Sequence, residues 1–255
     1  MKTPMFSQNV DMEYLKENET KEDLETGGYM LLQKKDGFRF GVDAVLLADF
    51  AKDIKADTAL DLCTGSAIVP ILLSAKTKIG TICALEIQGE IAEMAERSVR
   101  MNGLKKRIKI TREDLKNAEK IYKKRSFSLI TCNPPYMPKD AGVKNENDSK
   151  IIARHEVMCE LSDVISVSAK LLSQKGHIVL VHKPTRLVDI ICLMRENEIE
   201  PKRLRFVHKK VGAPPSLVLV DGAYKGGKEL SVLPPLYIYD ENGNETEEVR
   251  RIYGR

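Results

Sequence analysis

Residues 133–136 read Asn-Pro-Pro-Tyr and follow directly on the apolar-biased run Phe127 to Cys132. Neither proline can donate a backbone hydrogen bond, so a strand running to Cys132 stops there. Asn133, which precedes a proline, is held extended. The product is a stiff turn carrying one amide side chain, imide carbonyls and one aromatic ring. Such carbonyls accept hydrogens from an exocyclic amino group, and a tyrosine ring stacks on a planar base. Asn133, Pro134, Pro135 and Tyr136 are therefore the candidate catalytic residues. A plain proline turn over a buried Tyr136 is the alternative, and the surrounding pattern decides between them.

Upstream, Thr58 to Leu62 reads as a short strand, followed by Cys63-Thr64-Gly65-Ser66 and an apolar stretch from Ala67 to Ala75. Strand, small-residue turn and helix make a βα unit that binds a phosphate or nucleoside at its turn. Glu86 closes the next apolar run, where a carboxylate can hold the two hydroxyls of a ribose. Asp114 follows a third strand-like run, Arg107 to Thr111, and can accept from an adenine amino group. Asp61, Glu86, Asp114 and Asn133 thus end four successive strands, and open α/β sheets bind ligands at that edge. A dinucleotide site needs Gly-x-Gly-x-x-Gly around its pyrophosphate. This turn keeps only Gly65, with Cys63 and Ala67 at the other small positions, which suits S-adenosylmethionine better than NAD.

Those residues need a scaffold, and 255 residues can supply one large α/β domain with appendages. Residues 1–25 hold three lysines against seven acids and read as a polar, flexible lead-in. Gly28 to Phe40 alternates apolar and polar residues around Lys35-Asp36-Gly37, a hairpin signal. Val42 to Ala51 reads as a short helix with Asp43 at its start. From residue 58 to about 133 strands and helices alternate, implying a parallel sheet. Ile87, Ile91, Met94, Ala95 and Met101 share one face of the helix that Asn102-Gly103 ends. Residues 137–150 form a long polar loop, a lid or binding segment by length. Leu161 to Leu172 and Pro184 to Asn197 read as helices on either side of a strand from Gly176 to His182. Lys202 to His208 and Ser216 to Asp221 have no helix between them and pair antiparallel. The tail from 222 to 255 reads as extended.

The chain carries a net charge of +4, which leaves +8 for residues 26–255 once the acidic lead-in is set apart. Basic clusters at Lys105-Lys106-Arg107, Lys123-Lys124-Arg125 and Arg203 to Lys210 can attract a polyanion, or simply be solvated. There is no tryptophan, so one base held by Tyr136 is a better expectation than a long stacking platform. The five cysteines, at 63, 83, 132, 159 and 192, are scattered and read as reduced thiols. The four histidines, 155, 177, 182 and 208, lack metal spacing and read as structural or solvent-facing. No metal site is expected. No run approaches the roughly 20 apolar residues of a membrane span, nor does a signal-peptide pattern open the chain. A cytoplasmic protein without membrane association, a monomer or weak dimer, is the expectation.

Taken together, this order resembles the Rossmann-like, seven-stranded class I methyltransferase fold: a mostly parallel sheet with a C-terminal antiparallel hairpin, here preceded by an N-terminal β-hairpin and short helix. Asn133 to Tyr136 is similar to the signature of enzymes that methylate exocyclic or amide nitrogen. Residues 38–51, 60–66 and 232–243 (Val-Leu-Pro-Pro-Leu-Tyr-Ile-Tyr-Asp-Glu-Asn-Gly) further resemble the bacterial tRNA adenine-N6 methyltransferases that act on adenosine 37 of valine tRNA. The likeness covers most of residues 28–253, and residues 26–255 are expected to form a single domain after the lead-in, with an N-terminal hairpin and helix extension over 26–56 and a C-terminal tail over 222–255. It implies S-adenosylmethionine as cofactor and tRNA as partner. Phe40, Asp43, Asp61, Cys63, Thr64, Gly65, Glu86, Asp114 and Asn133 are implied as cofactor contacts, and Asn133 to Tyr136 as the base holder. Arg154 matches an Ala-Arg element of the family and, with Lys209 and Lys210, is expected to contact RNA. Ala67 departs from the family's glycine. Methylation of a glutamine amide or of guanine N2, and an inactive cofactor-binding RNA module, remain the competing readings.

Overall fold

A computed structural model describes residues 14–36, 41–135 and 159–255. Its centre is a parallel run of strands: β3 (Thr58–Leu62), β4 (Thr81–Glu86), β5 (Ile108–Arg112), β6 (Phe127–Cys132) and β7 (Leu172–His182). β8 (Ile199–His208) and β9 (Pro215–Tyr224) complete it as an antiparallel pair, β9 inserting between β7 and β8. Two short strands, β10 (Ser231–Val232) and β11 (Leu236–Tyr237), add parallel to β8. The nine-stranded sheet therefore contains the seven expected strands in the order β8-β9-β7-β6-β3-β4-β5.

Strand side chains alternate between two apolar layers, as a sheet covered on both faces requires. Ala59, Ile82, Ala84, Leu129, Val179 and Val181 face one side. There they meet α1 (Val42–Ala51), α2 (Ile68–Lys76), α3 (Gly89–Met101) and α7 (Glu247–Tyr253). Leu60, Leu62, Leu85, Ile130 and Leu180 face the other. They are covered by α4 (Ala118–Ile121), α5 (Leu161–Leu171) and α6 (Leu187–Glu196).

Two expectations change at the chain's ends. The N-terminal hairpin that the structure describes lies earlier than expected: β2 (Met30–Lys34) pairs with β1 (Glu19–Asp23), inside the supposed lead-in, and the strand expected after Lys35-Asp36-Gly37 falls outside the described residues. β1 is polar because its burial rests on charge. Arg97 of α3 donates to both carboxylate oxygens of Glu19 at 2.6 Å, and both residues are buried. Asn102 exchanges hydrogen bonds with the Met30 backbone, and Leu32 N–H donates to Ser98 Oγ, so the hairpin is pinned along α3. The tail is not wholly extended either, since α7 forms there. Thr246 Oγ1 caps it by accepting from Val249 N–H, and Gly254 ends it at φ +85°.

Candidate active site

The chain leaves β3 in one direction, through β4 and β5, and returns to β6 on the opposite flank of β3. The carboxyl ends of β3 and β6 thus form the topological switch point, where open α/β sheets hold ligands. The register is explicit: Leu62 pairs with Cys132. Cys63 and Asn133, the next residue on each strand, therefore emerge on adjacent strands, one spacing of about 4.8 Å apart in the ladder. The Cys63–Gly65 turn and the proline corner are neighbours on one edge.

Asp61 lies on the last rungs of β3, 2% exposed, and its Oδ1 accepts from the Thr131 hydroxyl of the paired residue on β6 at 2.6 Å. Burial pushes its carboxyl up to about 7, with the Thr131 hydrogen bond opposing the shift. Thr64 is buried too; its hydroxyl approaches Asp61 without completing a hydrogen bond. Its backbone N–H donates to Leu85 O, which fastens the turn across to β4. Glu86, also buried, accepts from Gly65 N–H through Oε2 and from Gln88 N–H through Oε1, each at 2.9 Å. Gly65 sits at φ +56° with nothing within 4 Å of the place a Cβ would occupy, so this side of the turn is open to a ligand. Asp114 caps the short 3-10 turn Leu115–Asn117 by accepting from Lys116 N–H.

At the corner, Pro134 is buried, Pro135 exposed and Asn133 half-buried. The Asn133 Oδ1 is buried with no hydrogen-bond partner among the described residues. A buried acceptor left open costs about 1–3 kcal/mol, and a donor brought by a substrate would relieve it. Asp43 begins α1, where Oδ1 accepts from Ala44 N–H. Phe40, Tyr136, Arg154 and the loop 137–150 lie outside the described residues.

The basic clusters separate. Lys105-Lys106-Arg107 precedes β5 and Lys123-Lys124-Arg125 precedes β6, at the amino edge of the sheet. Arg107 is spent on the carbonyls of Ser74, Thr77 and Ile79, and Arg125 on the Ala169 carbonyl and the Tyr224 hydroxyl. Arg203 donates to buried Asp221, and Arg205 to Glu248. Of these clustered cations, only Lys209 and Lys210, both exposed, leave β8 on the edge that carries the site. They stand three strands from β6 in the sheet order, roughly 14 Å across the ladder.

His182, read from the sequence as merely structural or solvent-facing, ends β7 on the strand beside the corner. It is 6% exposed, its Nδ1 accepts from Lys183 N–H at 2.8 Å, and burial pushes it down to about 4. The imidazole is neutral near pH 7. Nothing in the residue spacing marks it; only the register of β7 against β6, which pairs Leu180 with Cys132, brings it to the same edge as the corner.

The strand order, the reversed β9 and the acids at successive strand ends define an S-adenosylmethionine-dependent methyltransferase. The chain matches the methyltransferase small domain model over residues 40–190 and belongs to that family. A tRNA1(Val) (adenine(37)-N6)-methyltransferase of Parabacteroides distasonis is 27% identical over 190 residues, spanning 73% of this chain and 77% of that one. One of the same description from Haemophilus influenzae is 25% identical over 222 residues, 84% of this chain and 89% of the relative. Among solved structures, a predicted O-methyltransferase of Agrobacterium tumefaciens superposes with a TM-score of 0.67 at 19% identity, covering 83% of this chain and 95% of its own. A geranyl diphosphate C-methyltransferase of Streptomyces coelicolor, solved with S-adenosyl-L-homocysteine, gives 0.51 at 12% identity over 70% of this chain and 77% of its own. These two share the fold.

Proposed function

We propose that this methyltransferase transfers a methyl group to the N6 amine of an adenosine in tRNA, adenosine 37 of valine tRNA by analogy with its relatives, in the compartment where tRNA is matured. The observation that carries the reading is the buried Oδ1 of Asn133, without a partner among the described residues, one strand spacing from the Cys63–Gly65 turn. When bound, S-adenosylmethionine supplies an electrophilic methyl on a sulfonium. The residues present fit it: the open side of Gly65, the unfilled Thr64 hydroxyl and the buried carboxylates of Asp61 and Glu86 together suit a cationic nucleoside. Glu86 would take the ribose hydroxyls, Asp114 the adenine amine, and Cys63 to Gly65 with Asp61, Phe40 and Asp43 the remainder.

An adenine N6 amine is a weak nucleophile because its lone pair is delocalised into the ring. Asn133 Oδ1 and the Pro134 carbonyl accept its two hydrogens and turn that lone pair toward the methyl group. Tyr136 stacks on the ring and fixes its plane. The chain contributes mainly alignment, which is worth effective molarities of roughly 10⁵ M or more in favourable cases, and it favours positive charge developing on N6. A base in an anticodon loop is already unpaired, so it is presented at low cost. Arg154, Lys209 and Lys210 would contact the RNA backbone.

The test is tritium transfer from labelled S-adenosylmethionine to total tRNA, followed by nucleoside analysis. Label in N6-methyladenosine supports the proposal, while label in protein or in N2-methylguanosine overturns it. Asn133→Ala should lower turnover by orders of magnitude with the cofactor dissociation constant nearly unchanged. Near-normal turnover would remove Asn133 from the mechanism.

A further inference from the structure

Three thiols converge beside the cofactor turn from separate parts of the chain. Cys63 opens that turn, Cys132 is the last residue of β6, and Cys159 immediately precedes Glu160, the N-cap of α5. The Sγ atoms of Cys63 and Cys159 lie 3.5 Å apart. Both residues are partly exposed, whereas Cys132 is fully buried. Cys63 holds φ at +58°, a left-handed conformation that penalises any side chain and is the usual place of glycine. Strain of this kind persists where surrounding structure and function retain it. Among the described residues no cluster of His, Cys, Asp and Glu could hold a metal ion. The remaining cysteines lie elsewhere: Cys83 buried in β4 and Cys192 exposed on α6.

We propose that Cys63 and Cys159 are a reversible modification site, a dithiol that a low-molecular-weight disulfide oxidises to an intramolecular disulfide, and that closing it weakens cofactor binding. The inference rests on the reading that the Cys63–Gly65 turn receives the cofactor. A thiolate of the pair attacks one sulfur of the external disulfide and expels one thiolate, leaving a mixed disulfide. The second protein thiolate attacks the protein sulfur of that bond and expels the other. The two cysteines lose two electrons and two protons, and the external disulfide is reduced to two thiols. A disulfide places its sulfurs about 2.05 Å apart, so the Cys63 and Cys159 sulfurs must close by about 1.5 Å from their present separation. That movement pulls on the turn whose Gly65 N–H is bound to Glu86. Contact with Cys132 holds the Cys63 thiol well above its ordinary range, and contact with Cys63 does the same for Cys159. Both thiols are therefore mostly protonated near neutral pH, so the exchange is slow.

The full chain is incubated with oxidised glutathione, free thiols are trapped by alkylation, and the peptides are mapped. The expected product joins Cys63 to Cys159 with loss of two hydrogens, while Cys192 carries glutathione. Calorimetry should then show S-adenosylmethionine affinity reduced at least tenfold and restored by dithiothreitol. A Cys159→Ser protein given the same treatment should form no crosslink, and any glutathione bound at Cys63 should persist as the unresolved mixed disulfide. No Cys63–Cys159 crosslink when Cys192 is fully modified would overturn the site. A crosslink that leaves cofactor affinity unchanged would overturn its effect. Reduced Glu86→Ala binding cofactor like the wild type would overturn the assignment of the turn, whatever the thiols do.

Discussion

Asp61 is the residue at which the site works against the fold. Its folded pKa of about 7 lies above the unfolded value of 3.8, so the folded protein holds a proton that the unfolded chain has released. Below pH 3.8 both forms are protonated and the residue costs nothing. As pH rises toward 7 the cost grows to as much as about 4 kcal/mol. Asp61→Asn should therefore stabilise the ligand-free protein at pH 8 and hardly at pH 4, while weakening cofactor binding; equal effects on chemical denaturation at the two pH values would refute this. Ala67, the N-cap of α2, holds φ at +68°. Alanine in place of the family's glycine is thus a backbone cost, about 1 kcal/mol for a left-handed non-glycine residue. Ala67→Gly should raise the denaturation midpoint by a corresponding amount.

At the scale of elements, the central strands were legible because each carries a short apolar run bounded by small or polar residues, and the acids fall at the ends of those runs. Leu60, Leu62, Ile130 and Leu180 are all fully buried, as such runs require. β1 was illegible because Glu19-Thr20-Lys21-Glu22-Asp23 has no apolar face. Its place depends on Arg97, far along the chain, and no local pattern reports that. α7 did carry a signal, Thr246-Glu247-Glu248 before Val249 and Gly254 after Tyr253, but its seven residues are too few for periodicity to show. The hairpin gives a sharp test. Arg97→Ala strands Glu19 in a buried position, and breaking one half of such a pair costs about 3–5 kcal/mol. Arg97→Ala combined with Glu19→Gln should recover part of that loss in equilibrium unfolding. A double variant as unstable as the single would show that the charge is not what matters.

The whole molecule divides its clustered charge by edge. Two of the three basic clusters sit at the amino edge and tie the architecture together through Arg107 and Arg125. From the third, Lys209 and Lys210 share the edge of Asn133. Their positions along the chain could not separate these roles, because the sheet alone decides which end of a strand a loop occupies. If RNA lies across that edge, replacing both lysines with alanine should weaken tRNA binding with little regard to sequence. The log–log salt slope should fall by roughly 1.5–2, about one for each phosphate no longer neutralised, with cofactor affinity unaltered. An unchanged slope would move the RNA elsewhere.

Because Leu62 and Cys132 share a rung, the gap between the Cys63–Gly65 turn and Asn133 is a property of backbone pairing and not of any loop. A two-residue slip between these strands would keep every side chain on its proper face yet carry Asn133 about 6.6 Å along the ladder, beyond reach of its neighbour. Insertions should accordingly be tolerated in the connections that enter β3 and β6 at the amino edge and be fatal to turnover within either strand, even in variants that still fold.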